Sequence, residues 1–299
     1  MDLITTPFAS YQLLDSGHGR KLERLRLSTA QGIQIITIER PAVQAVWHPR
    51  QKNWPADARV VRQKDGGGHW EFKKSLPRSF IWPYEVHGKT LFNIQGKFTP
   101  FGHLGAFFEQ KVFWDLIPTL KFKRGLNLFA YTGIISMLMA AYGKESIHVD
   151  SAAQVNQWAL DNQNLNKDGL LKSAAPLKIV REDVLRFCQR QARQGEQFDF
   201  IFADPPAWGH GAKKEKWEWE KQIQTLIDQI IQILSPGGTF ILTSHTPGFS
   251  ALSLRNLLPS TLFSKIEGGE LGIQHQDDER ILPAGCYVLG CKNSCSLRI

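Results

Sequence analysis

From about residue 96 onward, short apolar runs alternate with helical patterns, and this alternation constrains the fold more than any other feature of the chain. Runs at 124–130 (RGLNLFA), 146–150 (SIHVD), 178–180, 198–203 (FDFIFA) and 239–243 read as strands. Between them, 134–142, 152–166, a segment ending near 193 and 217–234 carry apolar residues at helical spacing. An earlier stretch, 103–120, places Phe107, Phe108, Val112, Phe113, Leu116 and Ile117 in a helical pattern and predicts another helix. Two more strand-like runs between about 262 and 292 flank the acidic loop Asp277-Asp278-Glu279. Strands alternating with helices predict an α/β fold: a doubly wound, Rossmann-like sheet of about seven strands. In such sheets ligands bind outside the carboxyl ends of the strands, at the topological switch point.

The first third has a different texture. Residues 32–39 (GIQIITIE), 59–62 and 69–72 read as short strands, the last following the turn Asp65-Gly66-Gly67-Gly68. Pro41, Pro49, Pro55, Pro77 and Pro83 interrupt any helix there. The expected organisation is a small β-rich N-terminal domain, 1–95, followed by a catalytic α/β domain, 96–299. Charge divides along the same line. The chain carries 36 Lys+Arg against 28 Asp+Glu, a net of +8; residues 1–95 hold 14 and 8 of these, leaving 22 and 20 for the rest. The N-terminal third is therefore at +6 and the remainder at +2, and such a surplus favours a polyanionic partner.

A hydrophobic fraction of 42% excludes wholesale disorder. The first ten residues lack a basic, then apolar, leader pattern, and the longest apolar stretch, 134–142, is too short to span a bilayer. A cytoplasmic protein without membrane contact is expected. Cys188, Cys286, Cys291 and Cys295 form no Cys-x-x-Cys pair and no His cluster completes a zinc spacing, so reduced thiols and no metal are expected.

The residues just after each strand carry the chemistry. Gly133 follows the first strand, where it permits a tight turn and close approach of a ligand to the backbone. Asp150 follows the second, placed to accept hydrogen bonds from ribose hydroxyls. Asp183 follows the third, placed to accept one from an adenine amino group. Asp204-Pro205-Pro206 follows the fourth. Each has a plainer reading: a turn glycine, a helix N-cap, a rigid strand exit. Their succession at four strand ends points instead to an adenosine-containing ligand. The segment 127–133 holds one glycine, not the Gly-x-Gly-x-x-Gly that brings backbone onto a pyrophosphate. S-adenosylmethionine (SAM) supplies ribose and adenine without a pyrophosphate.

NLFAYTG at 127–133 resembles motif I of the class I SAM-dependent methyltransferases, and most closely the bacterial 23S rRNA methyltransferases of the cytosine-5/guanine-7 type. HLGAFFEQK (103–111) is similar to the segment before that motif, HVDSAAQVNQWALDNQNLN (148–166) to motif II, REDVLRF (181–187) to motif III and ADPPAW (203–208) to motif IV. YQLLDSGHGRKLERL (11–25) resembles a subgroup without the N-terminal RNA-binding PUA domain. The resemblance covers most of the chain. It implies that Phe107, Phe108 and Glu109 flank the cofactor, that Phe129, Tyr131 and Gly133 contact its methionine part, and that Asp150 binds the ribose. It further implies that Asp183 with Val184 holds the adenine and that Asp204 sits beside the methyl-transfer site.

Two departures bear on mechanism. The cytosine-5 enzymes carry a nucleophilic Cys after the fifth strand, whereas this chain has Thr243-Ser244-His245-Thr246. Direct in-line transfer to nitrogen or oxygen needs no such thiolate. Asp204-Pro205-Pro206 resembles the Asp/Asn-Pro-Pro-aromatic motif of amino-methylating enzymes, but Ala207 intervenes and Trp208 comes one place late. Trp208 either stacks on a flipped base or packs. Residues 208–211, with His210, followed by Lys213, Lys214 and Lys216, read as a mobile loop over the site whose lysines meet phosphates, or as a solvated loop. His245 is either a base near the substrate or a polar strand-end residue. An RNA substrate, ribosomal RNA first, is the leading expectation. A protein or small-molecule methyltransferase and a non-catalytic RNA-binding module with a retained cofactor pocket are the alternatives.

Overall fold

The computed structural model describes residues 1–62, 67–143, 145–210 and 216–293, without the His210 side chain. Asp65, Gly66, Lys213, Lys214 and Cys295 of the sequence reading lie outside the described residues. The chain forms two compact units. One combines Ile4–Lys111 with Gly272–Ala284; the other comprises Met1–Leu3, Val112–Leu271 and Gly285–Ile299. The N-terminal unit thus runs past the boundary expected at residue 95 and takes in a segment from near the other end of the chain.

The N-terminal unit is built on seven strands: β2 (Tyr11–Gly17), β3 (Arg20–Thr29), β4 (Gly32–Pro41), β5 (Ala58–Arg62), β6 (Gly68–Phe72), β7 (Ser79–Val86) and β8 (Lys89–Lys97). β1 (Leu3–Thr5) precedes them and joins the other sheet. The order is β6-β5-β4-β3-β7-β8, with β2 also on β3. Alternate residues turn Leu25, Leu27, Ile36, Ile38, Trp82, Tyr84, Phe92 and Ile94 into its core. Pro83 lacks the N–H that a continuous β3–β7 ladder would need. Ser10 fills the gap: its carbonyl accepts the Arg26 N–H at 3.2 Å, and its hydroxyl donates to the Pro83 carbonyl.

Charge is buried in this unit. Glu23 is fully enclosed and accepts from Arg40 Nε (2.6 Å) and Nη2 (2.7 Å) and from the Tyr11 hydroxyl (2.8 Å), with Lys21 Nζ at 3.0 Å. The segment 272–284 is tied in by the same chemistry. Asp15 accepts from Arg280 Nη2 (2.9 Å), Trp54 Nε1 (3.0 Å) and two backbone amides of the 50–51 turn, and Ser16 Oγ lies 2.9 Å from His275 Nε2.

The larger unit contains α1 (Lys111–Leu116), β9 (Arg124–Leu128), α2 (Ile134–Tyr142), β10 (Glu145–Asp150), α3 (Ala153–Asn166), β11 (Leu177–Arg181), α4 (Val184–Arg193) and β12 (Phe198–Ala203). The chain continues through β13 (Trp208–His210), β14 (Lys216–Glu218), α5 (Trp219–Ile233), β15 (Leu234–Ser244), α6 (Ala251–Asn256), β16 (Phe263–Gln274) and β17 (Ile281–Lys292), of which residues 272–274 and 281–284 count with the N-terminal unit. The sheet order is β1-β16-β17-β15-β12-β9-β10-β11. β11, β10, β9, β12 and β15 run parallel, and β17 runs antiparallel to β15. Helices cover both faces. Leu126 and Leu128 of β9 pack into a core with Phe187 of α4, Ile227 and Ile230 of α5 and Leu254 of α6. On the opposite face Asn127 bonds Ser136 of α2, and α3 packs beyond it, with Asn162 Nδ2 donating to the Thr132 carbonyl.

The doubly wound sheet is therefore as expected, with eight strands rather than about seven; β1 is the strand that alternation could not reveal. The helix expected over 103–120 is reduced to the six residues of α1 between two 3₁₀ turns, Phe108–Gln110 and Ile117–Thr119. Gly105, at φ +107°, and Pro118 break the pattern. Likewise the helix expected from 217 starts at Trp219, and Trp208–His210 is not part of a loose loop: it pairs with Lys216–Glu218 as an antiparallel ribbon. No helix among the described residues is long and apolar enough to cross a membrane.

Candidate active site

The chain winds outward from β9 through β10 to β11, then returns to β12 and β15 on the other side of β9. The switch point therefore lies between β9 and β12, and the loops after these two strands are neighbours: the Asp204 amide donates to the Leu128 carbonyl at 3.4 Å.

The loop after β9 is tightly wound. Phe129 (φ +55°), Tyr131 (φ +49°) and Gly133 (φ +89°) all occupy the left-handed region, which side-chain-bearing residues enter only under constraint. Gly133 is required twice over, because a Cβ there would lie 3.2 Å from the Ala159 Cβ. Beneath it, Asn127 Nδ2 donates to Ser136 Oγ (2.9 Å), which lies 3.0 Å from His148 Nδ1. Burial pulls the His148 pKa down to about 3, so the imidazole is neutral.

Asp150, at the end of β10, reaches back to this loop. Its Oδ2 accepts the Tyr131 N–H (3.1 Å) and its Oδ1 the Ala152 N–H (2.9 Å). Burial raises its carboxyl pKa against the opposing effect of these amides. Asn156 Nδ2 donates to the Asp150 carbonyl at 2.9 Å, so the residue is fixed at both backbone and side chain. Asp183 realises the plainer reading: its Oδ1 caps α4 by accepting the Arg186 N–H at 3.0 Å. Val184 is buried in the core below.

After β12 the chain leaves through Asp204-Pro205-Pro206. Asp204 Oδ1 accepts from Thr243 Oγ1 at 2.5 Å and lies 3.3 Å from His245 Nε2. Both partners come from the end of β15, the neighbouring strand. Thr243 was not singled out by the sequence; its signal was its place opposite Asp204 at an adjacent strand end. Trp217 was also missed, absorbed into a helical pattern. Its Nε1 donates to the Pro206 carbonyl at 2.6 Å, and its ring sits 4.8 Å from that of Phe129. Trp208 is 57% exposed on the ribbon.

The thiols stand apart from this chemistry. Cys188, Cys286 and Cys291 are buried thiols outside any disulfide, burial pushes the Cys188 thiol well up, and that of Cys286 is pushed up to about 12. Among the described residues no group of three His, Cys, Asp or Glu is placed to hold a metal.

Residues 106–247 match the family described as conserved hypothetical protein 95. The crystal structure of the SAM-dependent methyltransferase from Agrobacterium tumefaciens is 31% identical, covers 97% of this chain and 93% of its own, and superposes with a TM-score of 0.82. The chain belongs to the SAM-dependent methyltransferases. A Streptococcus mutans structure, 16% identical over 94% of this chain and 75% of its own, shares the fold with a TM-score of 0.66. Among curated relatives, the ribosomal RNA large subunit methyltransferase K/L of Pseudoalteromonas atlantica is 28% identical over 207 residues, 67% of this chain and 28% of its own length. That of Chromohalobacter salexigens is 33% identical over 129 residues, 42% of this chain and 17% of its own length. The chain thus spans less than a third of the length of these two relatives.

The strand-end residues of this methyltransferase fit SAM. A carboxylate has about four acceptor sites, so the backbone amides of Tyr131, Ala152 and Ser151 leave Asp150 with acceptor capacity for a ribose hydroxyl. The Asp183 oxygen that does not cap α4 keeps the same capacity for an amino group. Phe107, Phe108 and Glu109 belong to the N-terminal unit, where Phe108 is a core residue stacked on Tyr11 at 4.0 Å.

Proposed function

We propose that this chain transfers a methyl group from SAM to RNA of the large ribosomal subunit, by direct in-line attack without a covalent cysteine adduct. The RNA assignment is supported by the names of the curated relatives. The observation that carries the chemistry is the Asp204 carboxylate at the switch point, held by Thr243 Oγ1 and close to His245 Nε2.

In this reading Asp150 binds the ribose hydroxyls, Asp183 with Val184 holds the adenine, and Phe129, Tyr131 and Gly133 shape the methionine end. When bound, SAM supplies the electrophilic methyl group. Asp204 orients the attacking group by accepting its hydrogen bond; Thr243, already donating to Asp204, fixes the carboxylate rotamer. His245 stands next to Asp204 as the group able to take up the released proton. Pro205 and Pro206 stiffen the exit that carries Asp204. Exposed Trp208 is the surface on which a base can stack, with His210 on the same ribbon.

Labelled SAM incubated with ribosomal subunits, total RNA, tRNA and protein should leave label in the large-subunit RNA. Asp204→Ala should lower transfer by about 100-fold, the loss typical of an orienting group at the reacting centre, while Cys286→Ser should transfer as wild type. Label found only in protein would overturn the RNA assignment.

The N-terminal unit, with much of the positive charge, is proposed to grip the RNA. Binding should weaken steeply with salt, and replacing exposed Lys73 and Arg78 by Ala should each reduce the log–log salt slope by about one. An unchanged slope in the double variant would remove these two residues from the interface.

A further inference from the structure

The Asp-Pro-Pro exit has a weakness that its own backbone cannot mend. Pro205 and Pro206 have no N–H, so two successive residues after Asp204 donate no backbone hydrogen bond. The Pro206 carbonyl is instead held from outside, by the indole N–H of Trp217 at 2.6 Å. The same indole packs on Phe129, 4.8 Å between ring centroids and tilted by 58°, and Phe129 is the first left-handed residue of the loop after β9. Trp217 is only 7% exposed and is locked in place by its own strand: β14 pairs Trp217 with Gly209 of β13, and the next turn closes through Trp219 N–H to the Ala207 carbonyl at 3.1 Å. One side chain therefore touches both loops of the switch point, one by a directional bond and the other by ring packing.

We infer that Trp217 is a positioning residue for methyl transfer: it holds the loop bearing Asp204 in register with the loop that shapes the cofactor's methionine end. The inference rests on the site proposed above. In-line transfer depends on the distance and angle between the donor carbon and the attacking atom, so a small displacement of one loop against the other is felt in the rate. The two contacts of Trp217 separate into two measurable roles. Its N–H acts on the Asp204 side alone; its ring acts on the Phe129 side.

Trp217→Phe keeps a ring against Phe129 and removes the donor. It should lower kcat by about 10–100-fold while SAM affinity by calorimetry stays within about threefold. Trp217→Leu removes both and should weaken SAM binding as well. Hydrogen exchange provides a readout independent of turnover: Trp217→Phe should speed amide exchange at 207–209 and leave 129–133 unchanged, and Trp217→Leu should speed both. Exchange in Trp217→Phe that matches wild type at 207–209, or that rises equally in both loops, would overturn the inference. If wild type binds SAM and shows the expected exchange pattern but methylates no RNA, the substrate assignment fails and the positioning role stands.

Discussion

Replacing Asp150 with Ala should lower SAM affinity by about 100-fold, measured by calorimetry on the folded protein. A hydrogen bond to a charged acceptor contributes about 1.5–3 kcal/mol, and 1.4 kcal/mol is a factor of ten in affinity, so losing the ribose contacts of the proposed site reaches this range. The loss has a second source. The Asp150 carboxylate also holds the Tyr131 amide, so its removal loosens a loop with three residues in the left-handed region. Wild-type affinity in Asp150→Ala would overturn the ribose-binding role of Asp150. The pH dependence follows from the same carboxyl. Burial raises its pKa, and only the ionised form accepts from both hydroxyls at full strength. SAM affinity should therefore fall on acidification beginning above the usual carboxylate range, and Asp150→Asn should flatten that decline.

Glu23→Gln should destabilise the N-terminal unit by about 3–5 kcal/mol, the usual effect of removing one partner from a buried ion pair. The guanidinium of Arg40 would remain enclosed without its hydrogen-bonded counter-charge, and the Tyr11 hydroxyl would face a weaker acceptor. Burial disfavours the Glu23 carboxylate, but Arg40 and Lys21 outweigh it and hold its pKa at about 2, against 4.5 for the free side chain. Because the folded pKa is the lower one, this contribution is fully present above about pH 4.5 and disappears as pH falls through about 2. The wild type should lose stability across that window by thermal or urea unfolding, and Glu23→Gln should lose less. A variant with an unchanged melting profile would show that the cluster adds nothing to the unit.

The parallel half of the sheet was legible because parallel strands buried on both faces are short apolar runs, each ending at a turn or a polar residue. Asp150 and Asp204 stood out for that reason. What was not legible depended on contacts remote in sequence. Thr243 gains its role from lying beside Asp204 across an adjacent strand, a relation that only the β12–β15 pairing creates. Trp217 and Glu218 fit the apolar period of the helix that follows, yet they pair with Trp208 and Gly209. Over 103–120 the periodicity was real but Gly105 and Pro118 override it locally. Phe108 satisfied two readings at once, a cofactor-flanking motif and an aromatic core residue, and periodicity cannot separate them.

The N-terminal unit takes Gly272–Ala284 as part of itself, and Arg280 and His275 from that segment supply partners to Asp15 and Ser16. On a ribosome, synthesis proceeds from the amino end, so these partners emerge only after the entire intervening α/β chain has been made. Residues 4–111 must then wait, with a buried aspartate and serine short of their mates, until residues 112–271 have been made. Completion of the N-terminal unit is thereby coupled to synthesis of β16 and β17, the two strands that flank its distant segment and close the antiparallel edge of the other sheet.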